Sequence, residues 1–358
     1  MPKLKNVRSA ILLAHAANLI NAEECILLYD INKSKNPDLP YMSYERFDLD
    51  RMEEDECKVE FRFCKRDIYR LVEVYQFPEE FLCYNGTVYD PVEAMCIFLK
   101  RLAYPCRYTD MIHRFARPVP QLSMITNRVM NFMFERWFHL LRTLNQAWLS
   151  RNHLQNYADT IHRKGAPLTN CWAFVDGTVR PISRPKENQR IVYNGHKKVH
   201  ALKFQSVVTP NGLVANLFGP VEGKRHDSGM LADSGLLNAM SNHCFSPNGT
   251  PLCIYGDPAY PLRVHLQAGF KGANITPQQS LWNTKMSSVR TSVEWVFGDI
   301  INWFKFMDFK KNLKLGLTAV GKLYLVCALL HNSRCCLYGN ETSDYFECEP
   351  PMIEDYFV

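Results

Sequence analysis

The stretch Val199-His-Ala-Leu-Lys-Phe-Gln-Ser-Val-Val-Thr-Pro-Asn-Gly-Leu-Val-Ala-Asn-Leu217 carries two β-type runs, Val199 to Val208 and Leu213 to Leu217, on either side of Thr209-Pro-Asn-Gly212. The proline sets φ at the start of that tetrapeptide, and Asn-Gly accepts positive φ at its end, so the flanking strands are expected to pair antiparallel. Working outward, Trp172 to Val175 and Leu252 to Tyr255 are further short apolar runs of strand type. Around Leu231 to Met240, and again from about Thr284 to Phe306, the apolar spacing lengthens to that of helices. Three strands, a helix, a strand and a later helix describe an α/β unit that starts near Asn170.

The chain before it reads as helical. Ile68, Leu71, Val72 and Val74-Tyr75 make an amphipathic stripe, and Asp90-Pro91 is a helix start ahead of Val92 to Leu102. Tyr104-Pro105 ends that helix, and a short segment from Tyr108 to Phe115 and a long one from Pro120 to Leu141 follow. That length pattern permits a helix-turn-helix and fits an ordinary helical bundle equally. The expected division is an arm over 1–60, a helical region over 61–165, an α/β region over 166–340 and a tail over 341–358. The arm holds one apolar helical stretch, the Lys33 to Pro40 segment and an acidic cluster from Asp48 to Glu56. The tail has six acidic residues and no basic one, and is expected to be loose or to cover a basic surface.

Composition narrows the function classes. With 358 residues, 47% of them hydrophobic, wholesale disorder is excluded, and the +6 balance of 42 basic against 36 acidic residues tolerates a polyanion without proving one. Thirteen cysteines without framework spacing point to reduced thiols. Lys3, Lys5 and Arg8 before Ala10 to Ile20 resemble a signal peptide, but His15 and Asn18 interrupt the run and Glu23-Glu24 follow. No window approaches 18 uninterrupted apolar residues, so no membrane span or membrane partner is expected.

Three acidic residues stand out. Asp176 follows Trp172-Ala-Phe-Val175, and Asp257 follows Leu252-Cys-Ile-Tyr-Gly256, each at the end of a run that reads as a buried strand. Glu294 lies beside the helical stripe Val289, Val293, Val296, Ile300 and Trp303, which would carry it toward the sheet. Three carboxylates meeting at one point repel unless divalent cations hold them, and an oxygen-only ligand set favours Mg²⁺ or Mn²⁺. Two such ions could drive an in-line phosphodiester displacement. Each residue also has a plain structural alternative: a turn at Asp176-Gly177, a turn initiated by Asp257-Pro258, and a one-turn pair between Glu294 and Arg290.

Between Asp176 and the Thr209 turn, Arg180, Arg184, Lys186, Arg190, Lys197, Lys198 and Lys203 face a single acid, Glu187. This segment suits contact with a DNA backbone, or is a solvated basic hairpin. Arg225-His226-Asp227 opens a helical run, with Asp227 as its N-cap or as a supporting residue near bound phosphate. His331 with Cys335-Cys336 lacks finger-like spacing and is not read as a zinc site.

Together, Val175-Asp-Gly-Thr178, Gly223-Lys-Arg-His-Asp-Ser228, Tyr255-Gly-Asp-Pro-Ala-Tyr260, Arg290-Thr-Ser-Val-Glu-Trp-Val-Phe-Gly298 and Leu330-His-Asn332 resemble the Harbinger/PIF-type DDE transposases and their domesticated nuclease relatives. The resemblance implies an RNase H-like catalytic core preceded by an all-helical N-terminal domain that contacts DNA. It implies Asp176, Asp257 and Glu294 as catalytic metal ligands, with Arg225, His226, Asp227 and Arg290 in auxiliary roles. Double-stranded DNA, a Myb-like helper protein, an oligomer assembled on DNA and a nuclear location (cytoplasmic without the partner) are implied in the same way. A domesticated DNA-binding or regulatory protein whose carboxylates no longer do chemistry is the alternative.

Overall fold

The computed structural model describes residues 4–32, 39–272 and 274–358. Lys3 of the signal-like opening and residues 33–38 of the Lys33 to Pro40 segment lie outside the described residues. The first helices, α1 (Leu4–Ala16) and α2 (Ala22–Ile31), pack on each other. Asn21 starts α2 with a capping box, its side chain accepting from the Glu24 N–H while the Glu24 carboxylate accepts from the Asn21 N–H.

The helical region holds α3 (Glu54–Phe61), α4 (Lys65–Val74), α5 (Pro91–Ala103), α6 (Ile112–Phe115), α7 (Val119–Trp137) and α8 (Arg151–Arg163). Asp90 caps α5 by accepting from the Val92 and Glu93 N–H groups, as the Asp90-Pro91 signal predicts. This region is not all-helical. A two-stranded antiparallel hairpin, β1 (Phe81–Leu82) with β2 (Val88–Tyr89), interrupts it. The buried side chains of α7, among them Leu122, Ile125, Val129 and Met133, pack toward the core, and Pro120, Asn127, Arg128, Glu135 and Arg136 of this helix are exposed.

The second region is built on a mixed sheet of β3 (Cys171–Pro181), β4 (Tyr193–Asn194), β5 (Val199–Val208), β6 (Val214–Glu222), β7 (Cys253–Gly256) and β8 (Leu266–Ala268). A short helix, α9 (Gln189–Val192), precedes β4, and α10 (Asp227–Ser234) and α11 (Leu236–His243) lie between β6 and β7. β5 pairs antiparallel with β6 on one side and β3 on the other, while β3, β7 and β8 run parallel. The predicted turn between β5 and β6 is present, with the Gly212 N–H donating to the Thr209 carbonyl at 3.0 Å and Gly212 at φ +80°. β8 escaped the sequence reading because three residues are too few to show a period.

The later helices are α12 (Pro277–Arg290), α13 (Ser292–Trp303), α14 (Val320–Tyr338), α15 (Glu341–Phe346) and α16 (Ile353–Tyr356). The run predicted as one helix from Thr284 to Phe306 breaks at Thr291, where the Glu294 N–H reaches back only three residues to the Thr291 carbonyl. Val289, Val293, Val296 and Ile300 are buried as the stripe predicts, whereas Trp303, its last member at the end of α13, is 37% exposed.

α14 is buried nearly all round and ties the two regions together, packing on both α7 and β6. One continuous hydrophobic core runs from Leu49 to Phe357. The tail is docked, not loose. Phe346, Ile353 and Tyr356 are buried, and Glu354 and Glu347 pair with Arg70 and Lys164. Apolar anchors spaced between its acids outweigh the local negative charge. Among the described residues, no helix is long and apolar enough to cross a membrane, and all thirteen cysteines are free thiols.

Candidate active site

Asp176 lies within β3, not at its end. On one side β3 continues to pair with β5, Asp176 standing opposite Ser206 and Pro181 opposite Ala201. On the other side the pairing with β7 stops after Phe174–Tyr255. Two residues beyond that pair stand Asp176 on one strand and Asp257 on the other, so parallel register sets the two aspartates side by side where β7 ends. Asp257 then enters the turn that the plain reading anticipated, its Oδ1 accepting from the Ala259 N–H at 2.9 Å.

The third acid, Glu294, stands in the first turn of α13 and is exposed. Its expected pairing with Arg290 is replaced by a longer-range one. Arg290, the last residue of α12, donates from Nη1 to Asp176 Oδ2 at 3.1 Å, each side chain retaining 20% exposure. Asp176 Oδ1 accepts from the Gly177 N–H at 2.8 Å.

Burial pushes the Asp176 carboxyl above its ordinary value; Arg290 and the Gly177 N–H pull it down, and the Asp257 and Glu294 carboxylates push it up again. Asp257 and Glu294 are thus close enough for their charges to act on Asp176. Among the described residues, however, no group of three or more His, Cys, Asp or Glu side chains is close enough to hold a metal ion. In this arrangement the Arg290 guanidinium neutralises Asp176. The donors are hard oxygens suited to Mg²⁺ or Mn²⁺, but their present geometry does not fit a cation held by all three.

Asp227 is a fourth acid at this place. His226, not Asp227, is the N-cap residue of α10 and makes no side-chain cap bond. The Asp227 carboxylate turns instead to Lys203, accepting from Nζ at 2.7 Å, while the same ammonium donates to the Arg225 carbonyl at 2.8 Å. A buried lysine is a stronger partner for a carboxylate than exposed backbone amides. Gly177 makes room for this, since a Cβ there would stand 2.6 Å from Asp227 Oδ1. The sequence reading weighed Gly177 only as a turn residue.

Tyr260 was also missed. It is buried, packs against Gly256, and feels the charges of Asp227, Asp176, Asp257 and Arg290; burial first, then these acids, raise its hydroxyl well above the ordinary value. Its place three residues after Asp257 in a turn was the available signal.

The basic residues divide. Arg180 and Lys203 are each 7% exposed, Arg180 donating to Thr178 and lying over the Tyr324 ring. This corrects their assignment to the DNA backbone. Lys203 sits inward because β5 is buried on both faces along nearly its whole length, and Arg180 lies on the buried side of the alternating end of β3. Arg184, Arg190, Lys197 and Lys198 are exposed, as are Arg225 and His226. Asn194 donates to the Gly223 carbonyl, and a Cβ on Gly223 would meet the Val192 and Ala201 carbonyls, so the segment leading to Arg225 lies against the one carrying Arg190. Arg225 pairs with Asp233.

Residues 175–332 match a family model described as DDE superfamily endonuclease. The match supports a DDE-type transposase family and a nuclease-type function for this segment, and the mixed sheet flanked by helices is consistent with a DDE nuclease fold. Such a family acts on DNA and generally uses divalent metal ions. Comparison with curated proteins and with solved structures finds no match.

Proposed function

We propose that the chain is a metal-dependent DNA endonuclease or transposase of the Harbinger type, with an RNase H-like core over 166–340 and a DNA-contacting helical region over 61–165. The observation that carries this reading is the side-by-side placement of Asp176 and Asp257 at the end of β7, with Arg290 and Glu294 brought to the same place by the α12–α13 junction. The strand order β6-β5-β3-β7-β8, antiparallel then parallel about β3, supports the core assignment.

In this reading Asp176, Asp257 and Glu294 are the ligands for Mg²⁺ or Mn²⁺, as two ions. Arg290 would have to leave Asp176 and Glu294 draw nearer before all three could share a cation. Exposed Arg184, Arg190, Lys197 and Lys198 are the phosphate contacts, extended by Arg225 and His226. Assembly as an oligomer on the DNA, a Myb-like helper protein and a nuclear location belong to the same proposal.

The test is nicking of labelled terminal-repeat DNA in Mn²⁺, with Mn²⁺ binding followed in parallel by calorimetry. Nicking that disappears in Asp176→Asn supports the enzyme. Unchanged cleavage by that variant removes the assignment. The Arg290–Asp176 pair favours one other reading, a domesticated DNA-binding or regulatory protein with unused carboxylates, for which the same assay returns a gel shift without cleavage.

A further inference from the structure

Arg62, the C-cap residue of α3, and Arg334, in α14, come together where the helical region meets the later helices, and neither has an acid. Among the described residues no carboxylate comes within ion-pair distance of either guanidinium, and the Nε of each is buried without a hydrogen bond. The ring of Phe63, next to Arg62 in the chain, lies 5.3 Å from the Arg334 guanidinium, with Trp303 at 3.6 Å and Tyr338 at 5.0 Å. Arg62 itself stands 4.6 Å over the Tyr104 ring.

The two charges act on each other. Burial pulls the Arg334 guanidinium down to about 10; Tyr338 opposes this, Arg62 adds to it and Asp299 opposes it again. Other acids in the neighbourhood are engaged. Asp67 accepts from the Tyr338 hydroxyl at 2.7 Å and pairs with Arg66, and Glu60 pairs with Lys100. Two neighbouring guanidiniums without an anion destabilise the unliganded chain, and a bound oxyanion, which either fork can grip with paired N–H groups, relieves that repulsion.

The surroundings select the source of that oxyanion. Trp303, Tyr338 and Tyr104 are 37%, 40% and 46% exposed, and exposed Trp and Tyr around buried arginine stems are the composition of a protein-binding hot spot. Trp303 stands about 13 Å along α13 from Glu294 and roughly half a turn round it, so this face is turned away from the acids where β7 ends. Asp299, with Glu341 near it, flanks Arg334; a run of phosphates would have to pass these acids, whereas one carboxylate need not. We infer that this surface docks a protein partner that presents a single Asp or Glu side chain to Arg62 and Arg334, with an aromatic neighbour lying on Trp303 or Tyr104. This goes beyond the nuclease reading and does not depend on it, since neither metal nor cleavage enters.

Selection of a random peptide library on the full chain should enrich sequences with one acidic residue beside an aromatic one. A synthetic peptide of the enriched sequence should bind in fluorescence anisotropy and weaken at least ~10-fold on Arg62→Gln, on Arg334→Gln, and when its own acid is replaced by the amide. The thermal midpoint of Arg62→Gln should hold or rise, because a like charge has been removed. If Arg334→Gln loosens the packing on Trp303, Arg334→Lys keeps the charge without the fork, and peptide binding should still fall while the thermal transition is retained. A library that yields no single-acid peptides, a peptide that binds Arg62→Gln as well as the unmodified chain, or one whose amide form binds equally would each overturn the inference. A marked fall in the thermal midpoint of Arg62→Gln, which would assign Arg62 to the fold, would do the same. So would short single-stranded DNA that binds the full chain and is lost in Arg62→Gln, since the surface would then be a nucleic-acid contact.

Discussion

Two polar clusters sit on the same sheet and are built in opposite ways. Where the β5–β6 turn meets α14, the polar groups are neutral and fully buried. Asn332 accepts from the Val214 N–H and donates to the Val214 carbonyl, both at 2.9 Å, standing in for a neighbouring strand, and also donates to the Tyr356 hydroxyl. Asn211 donates to the Tyr157 hydroxyl and accepts from Thr209 Oγ1. Where β7 ends, the groups are charged and several are half-exposed, with Asp176 against Arg290, Asp227 against Lys203, and Asp257 and Glu294 near enough to raise the Asp176 carboxyl.

Neutral amides and hydroxyls can complete one another in a low-dielectric interior, so they lock the fold. Carboxylates cannot be gathered there without cations, and a cluster that keeps mutual repulsion at a sheet end is organised for binding. The difference teaches that Leu330-His-Asn332, although part of the motif set, is a structural clamp, while the acids are the part that the proposed chemistry would use.

Four changes break or sharpen this contrast. The largest effect is expected for Asp176→Asn. Cleavage of terminal-repeat DNA should fall at least ~10³-fold if the acids are reactive, while the urea unfolding midpoint moves by no more than about 1 kcal/mol equivalent, since the pair it removes is partly exposed. A large loss of stability with cleavage intact would reverse the roles of the two clusters.

Asn332→Ala should behave in the contrary way, costing about 3–5 kcal/mol in urea unfolding, because it strands the Val214 amide groups and the Tyr356 hydroxyl in the interior. A loss below about 1 kcal/mol would deny it the clamp role.

His331, beside Asn332, extends the contrast to pH. Burial, reinforced by Arg334 and opposed by the Gly212 carbonyl, pushes its imidazole down to about 4. The folded form therefore stays neutral while the unfolded chain takes up a proton, so stability is lost as pH falls from about 6.5 toward 4. The loss amounts to roughly 2–3 kcal/mol at the acid end. His331→Gln should flatten that part of the Tm-against-pH curve, and an unaltered slope would show that other groups set it.

The smallest effect is expected for Gly177→Ala. Its Cβ displaces the Asp227 carboxylate from Lys203, a flexible partner that can yield, at about 1–2 kcal/mol. A stability unchanged within error, with the Asp227–Lys203 pair retained in a crystal structure of the variant, would show that the close approach does not matter.

Much of the fold was legible where the chemistry is local. Asp90-Pro91 begins α5, Thr209-Pro-Asn-Gly212 turns β5 into β6, and Val289 to Ile300 buries its stripe, because caps, turns and periods act over a few residues. The β1–β2 hairpin was not legible, being two residues per strand. The tail was read from its charge, yet its placement depends on Phe346, Ile353 and Tyr356 finding a core built by segments far earlier in the chain.

Among the site residues, Asp176 and Asp257 were legible from their runs. The Arg290–Asp176 pair spans 114 residues and Lys203–Asp227 spans 24, distances over which no spacing rule reports who meets whom. The inward turn of Arg180 and Lys203 escaped for a related reason, since which faces of β3 and β5 are covered is a decision of the whole assembly.

By itself the amino-acid order determined the longer strands and helices, the reversal between β5 and β6, and the place of Asp257 just after a strand, since each of these follows from side-chain shape and backbone preference within a turn or two. Only the tertiary structure decided that Arg290 neutralises Asp176, that Lys203 belongs to Asp227, and that the three acids stop short of a shared cation site. Electrostatic pairing depends on distance through space and on burial, and both exist only once the core has closed.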